Sequence, residues 1–234
     1  MWAIVPIKTL EAAKRRLADV LSPDERRALM LAMARDVLAA LARCPALTGV
    51  LIVSRTPEAD ALAQTFGTER FMESPDADLS QALTQAADYA RDHLHARGVM
   101  IVPADVPLIE PDEIAGILAG HRSVTVMPDD ERLGTNGLIC TPPDRIRFRF
   151  DGRSFRPHVD AARAAGAEPR IVPSPRFALD VDTPDDLRAL LRQGPGTQTA
   201  SFLERAGIAA RLGVGPCLDG DRSGAHNGPS HGNA

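Results

Sequence analysis

The 234-residue sequence predicts a three-layer α/β domain, in which a mainly parallel, mixed sheet carries helices on both faces. Three observations predict it. Short apolar runs alternate with helix-length segments along most of the chain. The runs are apolar without interruption, as strands covered on both faces are. Several helical segments open on their own caps. The strand candidates are Ala3–Ile7, Gly49–Ser54, Val99–Pro103, Ser123–Met127, Gly137–Cys140 and Arg170–Pro173. Ser22-Pro23-Asp24-Glu25 places Ser at an N-cap, Pro at the first helical position and Glu within capping-box reach, opening a helix to about Leu41. Leu79–Ala96 is a second helix, Pro111–Ala119 and His158–Ala165 are shorter, and Thr183–Arg192 repeats the cap-then-Pro start.

Composition removes other classes. Hydrophobic residues are 44% and charged residues 25%, enough for a core without disulfide or metal staples. No apolar run approaches the ~20 residues that span a bilayer, and the N-terminus lacks the basic and apolar regions of a signal peptide. Cys44, Cys140 and Cys217 form no CxxC and read as reduced thiols of a cytoplasmic protein. A net charge of −4 advertises neither nucleic acid nor membrane as partner, so any anion site is local. Among 27 basic residues only Lys8 and Lys14 are lysines, and both follow the first predicted strand. From Gly194 the composition shifts, with 9 of the 18 glycines in the last stretch. The expected organisation is one domain over 1–193, then a Gly-rich extension over 194–234 with a short helix at 200–212 and a mobile tail. His226 and His231 read as polar tail residues rather than metal ligands.

In open α/β sheets ligands sit beyond the carboxyl ends of the strands, and the chemistry-bearing residues follow the apolar runs. Lys8, Lys14, Arg15 and Arg16 lie within nine residues of one another against only Glu11, which suits a polyphosphate. The plainer alternative is a solvated helix face. Neither GxxxxGK(S/T) nor GxGxxG is present. Asp105, between Pro103 and Pro107 past the third run, is placed as an oxygen ligand for a hard cation or as a turn former. If Leu179–Asp182 is extended, Asp180 and Asp182 project to one face, and two such carboxylates repel unless a cation lies near. The alternative there is a cap for the helix after Pro184. Gly134-Thr135-Asn136-Gly137 and Phe150–His158, with Arg153 and Arg156, suit a second anion-binding loop or ordinary turns.

In order, Pro6-x-Lys8, Ala13-Lys14-x-Arg16-Leu17, Pro103-Ala104-Asp105-x-Pro107-Leu108, Gly134-Thr135-Asn136, Phe150 with Ser154-Phe155-x-x-His158, and Leu179-Asp180-Val181-Asp182-Thr183-Pro184 resemble the CofC/FbiD guanylyltransferases over about residues 1–193. The resemblance implies a nucleotidyltransferase fold of the nucleotide-diphospho-sugar transferase type. It implies a reaction of GTP with a three-carbon phospho-acid that serves construction of coenzyme F-420, with Mg²⁺ as cofactor. It implies Lys8, Lys14 and Asp105 as catalytic residues and Asp105, Asp180 and Asp182 as metal ligands. Lys8, Lys14, Arg16, Arg55 and Ser80 are implied nucleotide contacts, with the guanine read near Val53–Arg55 and Pro75–Ser80. Thr135, Asn136, Gly152, Ser154 and His158 are implied acceptor contacts. A homodimer is carried as the candidate assembly.

The acceptor half departs from the family pattern. Where members often read FGxGSF, this chain has Phe150-Asp151-Gly152-Arg153-Ser154-Phe155, so Asp151 and Arg153 replace glycines. Lys14-Arg15-Arg16-Leu17 stands for K-S-R-L, and Asp78-Leu79-Ser80-Gln81-Ala82 for G-L-N-x-A. The departure makes 3-phospho-D-glycerate the favoured acceptor, ahead of phosphoenolpyruvate and 2-phospho-L-lactate. Molybdopterin or sugar-1-phosphate nucleotidyltransferases are the alternative within the fold. They usually carry G-x-G-x-R-(M/L) after the first strand, and Ile7–Leu17 holds no glycine. A non-catalytic nucleotide-binding protein is the alternative from another class, and three acidic positions aimed at phosphates argue against it.

Overall fold

The computed structural model describes residues 1–7 and 14–214. Lys8, Cys217, His226 and His231 therefore lie outside the described residues. A seven-stranded sheet runs β3-β2-β1-β4-β6-β5-β7. Its strands are β1 (Trp2–Pro6), β2 (Gly49–Val53), β3 (Glu69–Phe71), β4 (Val99–Ile101), β5 (Val124–Pro128), β6 (Thr135–Cys140) and β7 (Arg170–Ile171). All pairings are parallel except those of β6, which runs against both β4 and β5. The mixed, mainly parallel sheet expected from the sequence is what the chain forms. Because β6 is reversed, its first residues, Thr135 and Asn136, arrive at the same end of the sheet as the carboxyl ends of β1, β2 and β4.

The helices are α1 (Pro23–Ala42), α2 (Glu58–Phe66), α3 (Leu79–His93), α4 (Pro111–Ala119), α5 (Phe155–Ala164), α6 (Pro175–Ala178), α7 (Pro184–Gln193), α8 (Gln198–Arg205) and α9 (Ile208–Arg211). Ser22 with Glu25, Asp78 with Gln81, and Thr183 with Asp186 form complete capping boxes on α1, α3 and α7. Helix α5 starts at Phe155, ahead of its expected start at His158. Pro157 sits in its first turn, where the missing N–H has no helical partner to lose. The short elements α2, β3 and α6 are not legible in the apolar pattern of the sequence.

Three buried clusters hold these layers. One lies between α1, α2, α4 and one sheet face, with Ala3 and Val5 of β1, Ile52 and Met100. Another lies between α3, α5 and the opposite face, with Ile4, Leu51, Ile101 and Leu138. Neighbouring β1 residues thus serve opposite clusters, as the period of two requires. Gly137 matters locally because a Cβ there would stand 2.3 Å from Met127 Cε and 3.1 Å from Phe177 Cδ1. The missing side chain lets the buried Phe177 ring of α6 approach β6 closely.

The third cluster positions the site. Leu17, Leu108 and Val181 each come from a loop at the carboxyl end of the sheet, and they meet Leu29 and Met33 of α1 and Leu187, Leu190 and Leu191 of α7. Ala200 and Leu203 of α8 and Ile208 and Leu212 around α9 complete it. The short helix expected over 200–212 is two helices, and they share this cluster with the 1–193 region. Asp36 of α1 secures α8. Its carboxylate accepts from the N–H groups of Gln198 and Thr199 at 2.8 Å each, and from the Thr199 hydroxyl at 2.6 Å. Removing that carboxylate strands two helix N-terminal donors. Asp36→Ala is expected to lower unfolding free energy by about 1–2 kcal/mol, read as a shift of the urea midpoint at constant slope.

Candidate active site

Lys14 carries the left-handed backbone value φ 57 just before a 3-10 turn over Arg15–Leu17. A side chain pays strain to sit there, and such strain gathers at functional sites. The turn is closed by the Leu17 N–H donating to the Lys14 carbonyl at 2.9 Å, with Leu17 anchored in the third cluster. The Lys14 ammonium is almost wholly covered, at 6% side-chain exposure. It donates to Asp105 Oδ2 at 2.6 Å and to Asp182 Oδ1 at 2.5 Å. Burial works to lower the lysine pKa, but the two carboxylates outweigh it and drive the value up, so the ammonium stays charged.

Asp105 follows β4, and its carbonyl accepts from the Val181 N–H at 3.0 Å. That bond ties the 179–182 segment to the 103–108 turn. Val181 is buried in the third cluster while Asp180 and Asp182 stay part-exposed, so the two carboxylates do leave the segment on the side opposite Val181. Asp182 does not cap α7, because Thr183 holds that position through its capping box. Asp180 accepts from Asn136 Nδ2 at 3.1 Å. Burial and then the negative charge of Asp105 raise its pKa to about 6, with Asp182 adding to the rise and the Asn136 bond opposing it. Three carboxylates thus face one region with one ammonium among them. Among the described residues, no three acidic, His or Cys side chains are gathered closely enough to hold a metal ion as they stand. The donor chemistry, all carboxylate oxygen, fits a hard divalent cation.

A cleft of about 280 Å³ opens at the carboxyl ends of β1 and β2, lined by Pro6, Ile7, Val53, Arg55, Glu73, Asp78 and Leu79 among others. Arg55 lines it, with its guanidinium on the Pro75 carbonyl and 3.5 Å from Glu73 Oε1. Glu73 was not legible in the sequence. Its Oε2 is buried without a hydrogen-bond partner, an orphan acceptor at the wall of a cleft. Only the tertiary structure, by bringing β3 beside β2, puts Glu73 there. Arg16 is exposed in the 3-10 turn. The Ser80 hydroxyl oxygen accepts from the Phe150 N–H at 2.8 Å, so it ties the first turn of α3 to the 141–154 segment.

The second expected anion loop divides on inspection. The Leu133 and Gly134 N–H groups are not open to a ligand, because Asp129 Oδ1 and Oδ2 accept from them at 2.8 and 2.6 Å. Thr135 and Asn136 open β6 and turn to opposite sides of it, Thr135 toward α5 and Asn136 toward Asp180. Gly152 takes φ 83 in an exposed turn where Asp151 accepts from the Arg153 N–H at 3.2 Å and from Arg149 Nε at 2.6 Å. Ser154 precedes α5, buried at 1% exposure, and its hydroxyl makes no cap bond. His158 corrects the expectation of a direct substrate contact. The ring is fully buried and both nitrogens are bonded within the protein, Nδ1 to Thr135 Oγ1 at 3.0 Å and Nε2 to the Arg149 N–H at 3.1 Å.

Fold and site together define a nucleotidyltransferase: carboxylates and a lysine at the carboxyl end of a mixed α/β sheet, with a cleft over β1, β2 and the start of α3. The fold is that of a Desulfovibrio desulfuricans G20 protein described as a nucleotide-diphospho-sugar transferase, with a TM-score of 0.71 at 20% identity over 90% of this chain and 97% of that one. A nucleotidyl transferase from Methanothermobacter shares it, with a TM-score of 0.64 at 16% identity over 87% and 98%.

The chain belongs to the CofC guanylyltransferase family, whose model, described as "Guanylyl transferase CofC like", matches residues 1–219. It is 35% identical over 213 residues to the phosphoenolpyruvate guanylyltransferase of Conexibacter woesei, covering 87% of this chain and 95% of that protein. It is 38% identical over 197 residues to the Rubrobacter xylanophilus enzyme of the same name, covering 83% and 95%. It is 34% identical over 222 residues to the 2-phospho-L-lactate guanylyltransferase of Methanothermobacter thermautotrophicus, covering 94% and 95%. Among the described residues no helix is long and apolar enough to cross a membrane.

The buried histidine gives the site a pH signature. Burial pushes the His158 pKa down to about 4 from 6.5, with Asp151 pulling the other way. The unfolded chain binds this proton below pH 6.5 and the folded chain only near pH 4. Stability is therefore fully present above pH 6.5 and lost as pH falls between these values, by up to about 3 kcal/mol from this group. Urea unfolding at pH 7, 5.5 and 4.5 should show that loss, and His158→Asn should remove most of its slope.

Proposed function

We propose that this chain condenses GTP with a three-carbon phospho-acid, releasing pyrophosphate, as a step toward coenzyme F-420. The observation that carries the reading is Lys14 buried between Asp105 and Asp182, with a cleft of about 280 Å³ at the carboxyl ends of β1 and β2. A phosphate oxygen of the acceptor attacks the α-phosphorus of GTP. The bond from that phosphorus to the β-bridging oxygen breaks, and its electron pair leaves on pyrophosphate. An acceptor phosphate is already ionised near neutral pH, so no strong base is needed. The difficulty is the approach of two polyanions. Lys14, with Lys8 as its expected companion, meets the charge of the triphosphate and of the leaving pyrophosphate, and Arg16 stands at the same loop. Asp105, Asp180 and Asp182 would hold Mg²⁺, which when bound offsets phosphate charge.

The base occupies the cleft over β2 and the start of α3, where Glu73 stands. A carboxylate complements the N1–H and 2-amino donors of guanine, whereas adenine presents an acceptor at N1. Arg55 holds the wall of the cleft. The acceptor lies across the start of β6, by Thr135 and the 150–154 turn. The names of the relatives support phosphoenolpyruvate and 2-phospho-L-lactate as members of its class. Asp151 and Arg153, in place of glycines, support a more polar acceptor, and we rank 3-phospho-D-glycerate first.

Pyrophosphate release from GTP with each of the three acids, followed by mass spectrometry of the product, tests the reading. Turnover of 2-phospho-L-lactate alone would reverse the ranking, and no release with any acid would remove the activity. Asp105→Asn should lower turnover by about three orders of magnitude or more with an unchanged circular dichroism spectrum. Glu73→Gln should lower kcat/KM for GTP by about tenfold or more and narrow the GTP-over-ATP preference, since a hydrogen bond to a charged group is worth about 1.5–3 kcal/mol. An unchanged nucleotide preference would move base recognition elsewhere.

A further inference from the structure

His158 is the group in the acceptor half with the most to explain. It is fully buried on α5, it touches no solvent, and yet it bridges two segments that the proposed function places around the acceptor. Its protonation pattern follows from its partners. A backbone N–H can only donate, so Nε2, which faces the Arg149 N–H at 3.1 Å, must carry the lone pair. The proton of the neutral ring is then on Nδ1, and that N–H donates to Thr135 Oγ1 at 3.0 Å. A hydroxyl that accepts from one side has its own O–H directed elsewhere. The Thr135 hydroxyl, itself 5% exposed, is thereby left with a proton to donate, and a donor is what an anionic acceptor needs.

The opposite side of the ring fixes the turn. Arg149 is two residues before Asp151, and the Phe150 ring rests on His158 with centroids 4.9 Å apart. The Phe150 N–H is held in turn by Ser80 of α3. Helix α3, the 149–154 turn, α5 and the first residue of β6 are thus linked through one imidazole.

We propose that His158 is a positioning residue for the acceptor: it turns the Thr135 O–H toward the phospho-acid and holds the 150–154 turn against it. The inference rests on the acceptor site assigned under the proposed function. It predicts that acceptor binding, and not nucleotide binding, depends on this ring. It also makes the two nitrogens separable. An asparagine amide takes the place of Nδ1 and can keep the donor to Thr135. A glutamine amide reaches the place of Nε2 and can keep the acceptor for Arg149, but it loses the donor.

The test uses the full chain with ¹⁵N-labelled histidine and steady-state kinetics for GTP and the preferred acid. Nitrogen shifts of His158 should show a protonated Nδ1 and a bare Nε2. The opposite tautomer would overturn the proposal. His158→Gln should raise the acceptor KM by about tenfold, the equivalent of one hydrogen bond, with the GTP KM unchanged, and His158→Asn should restore most of that loss. Equal rises in both KM values, or no change in the acceptor KM for either variant, would reduce His158 to a core residue. Thr135→Val separates the two levels of the argument. If it leaves the acceptor KM unaltered, the acceptor site itself is misplaced and the inference falls with it. If it raises that KM while the His158 variants do not, only the inference fails.

Discussion

The structure turns on one buried ion triad. The Lys14 ammonium, all but sealed from solvent, sits within hydrogen-bond reach of two carboxylates that lie 91 and 168 residues away in the chain. Covering the ammonium is expensive, and the attraction of two part-exposed carboxylates offsets the cost only when the geometry is tight and both partners are present. Such a triad contributes little net stability. It is better understood as a charge arrangement kept for chemistry, with one cation already in the midst of an acidic patch that the ligand's own charges must meet. The left-handed backbone at Lys14 is consistent with this, since the turn gives up local comfort to direct the side chain inward.

A triad assembled from distant segments needs a rigid foundation, and the third apolar cluster supplies it. Leu17 stands three residues after Lys14, Leu108 three after Asp105, and Val181 one before Asp182, and all three are planted in the same cluster. Helices α7, α8 and α9 enclose that cluster from outside. Residues 194–214 therefore belong to the physics of the site although they bring no charge to it. Asp36, by receiving the first N–H groups of α8, is the polar fastening of that wall.

Strand direction does comparable work on the acceptor side. A parallel strand in the place of β6 would deliver Cys140 to the ligand end and bury Thr135 and Asn136 at the other. Reversal brings a hydroxyl and an amide to the crevice, one turned to His158 and the other to Asp180. Gly137 lets the Phe177 ring pack closely on the same strand.

Much of this was written in the sequence, because it depends on local rules. Apolar runs named six of the seven strands near their observed places, and Ser22 and Thr183 announced two helices by capping chemistry. The period-two spacing of Asp180 and Asp182 put both carboxylates on one side of Val181. Ordered motifs placed the chain in its family. Tertiary structure decided what local rules cannot. The three-residue β3 carries too little pattern to be seen alone, yet it brings Glu73 to the cleft. Asp129 claims the Gly134 N–H of the Gly-Thr-Asn stretch read as an anion loop. His158, read as a ligand contact from its motif, proves to face the protein, because a side chain's partner is set by packing across elements. Sequence determined which residues could do the chemistry. Only the packing of distant segments decided that Lys14 stands between Asp105 and Asp182, since no local pattern encodes a contact 168 residues long.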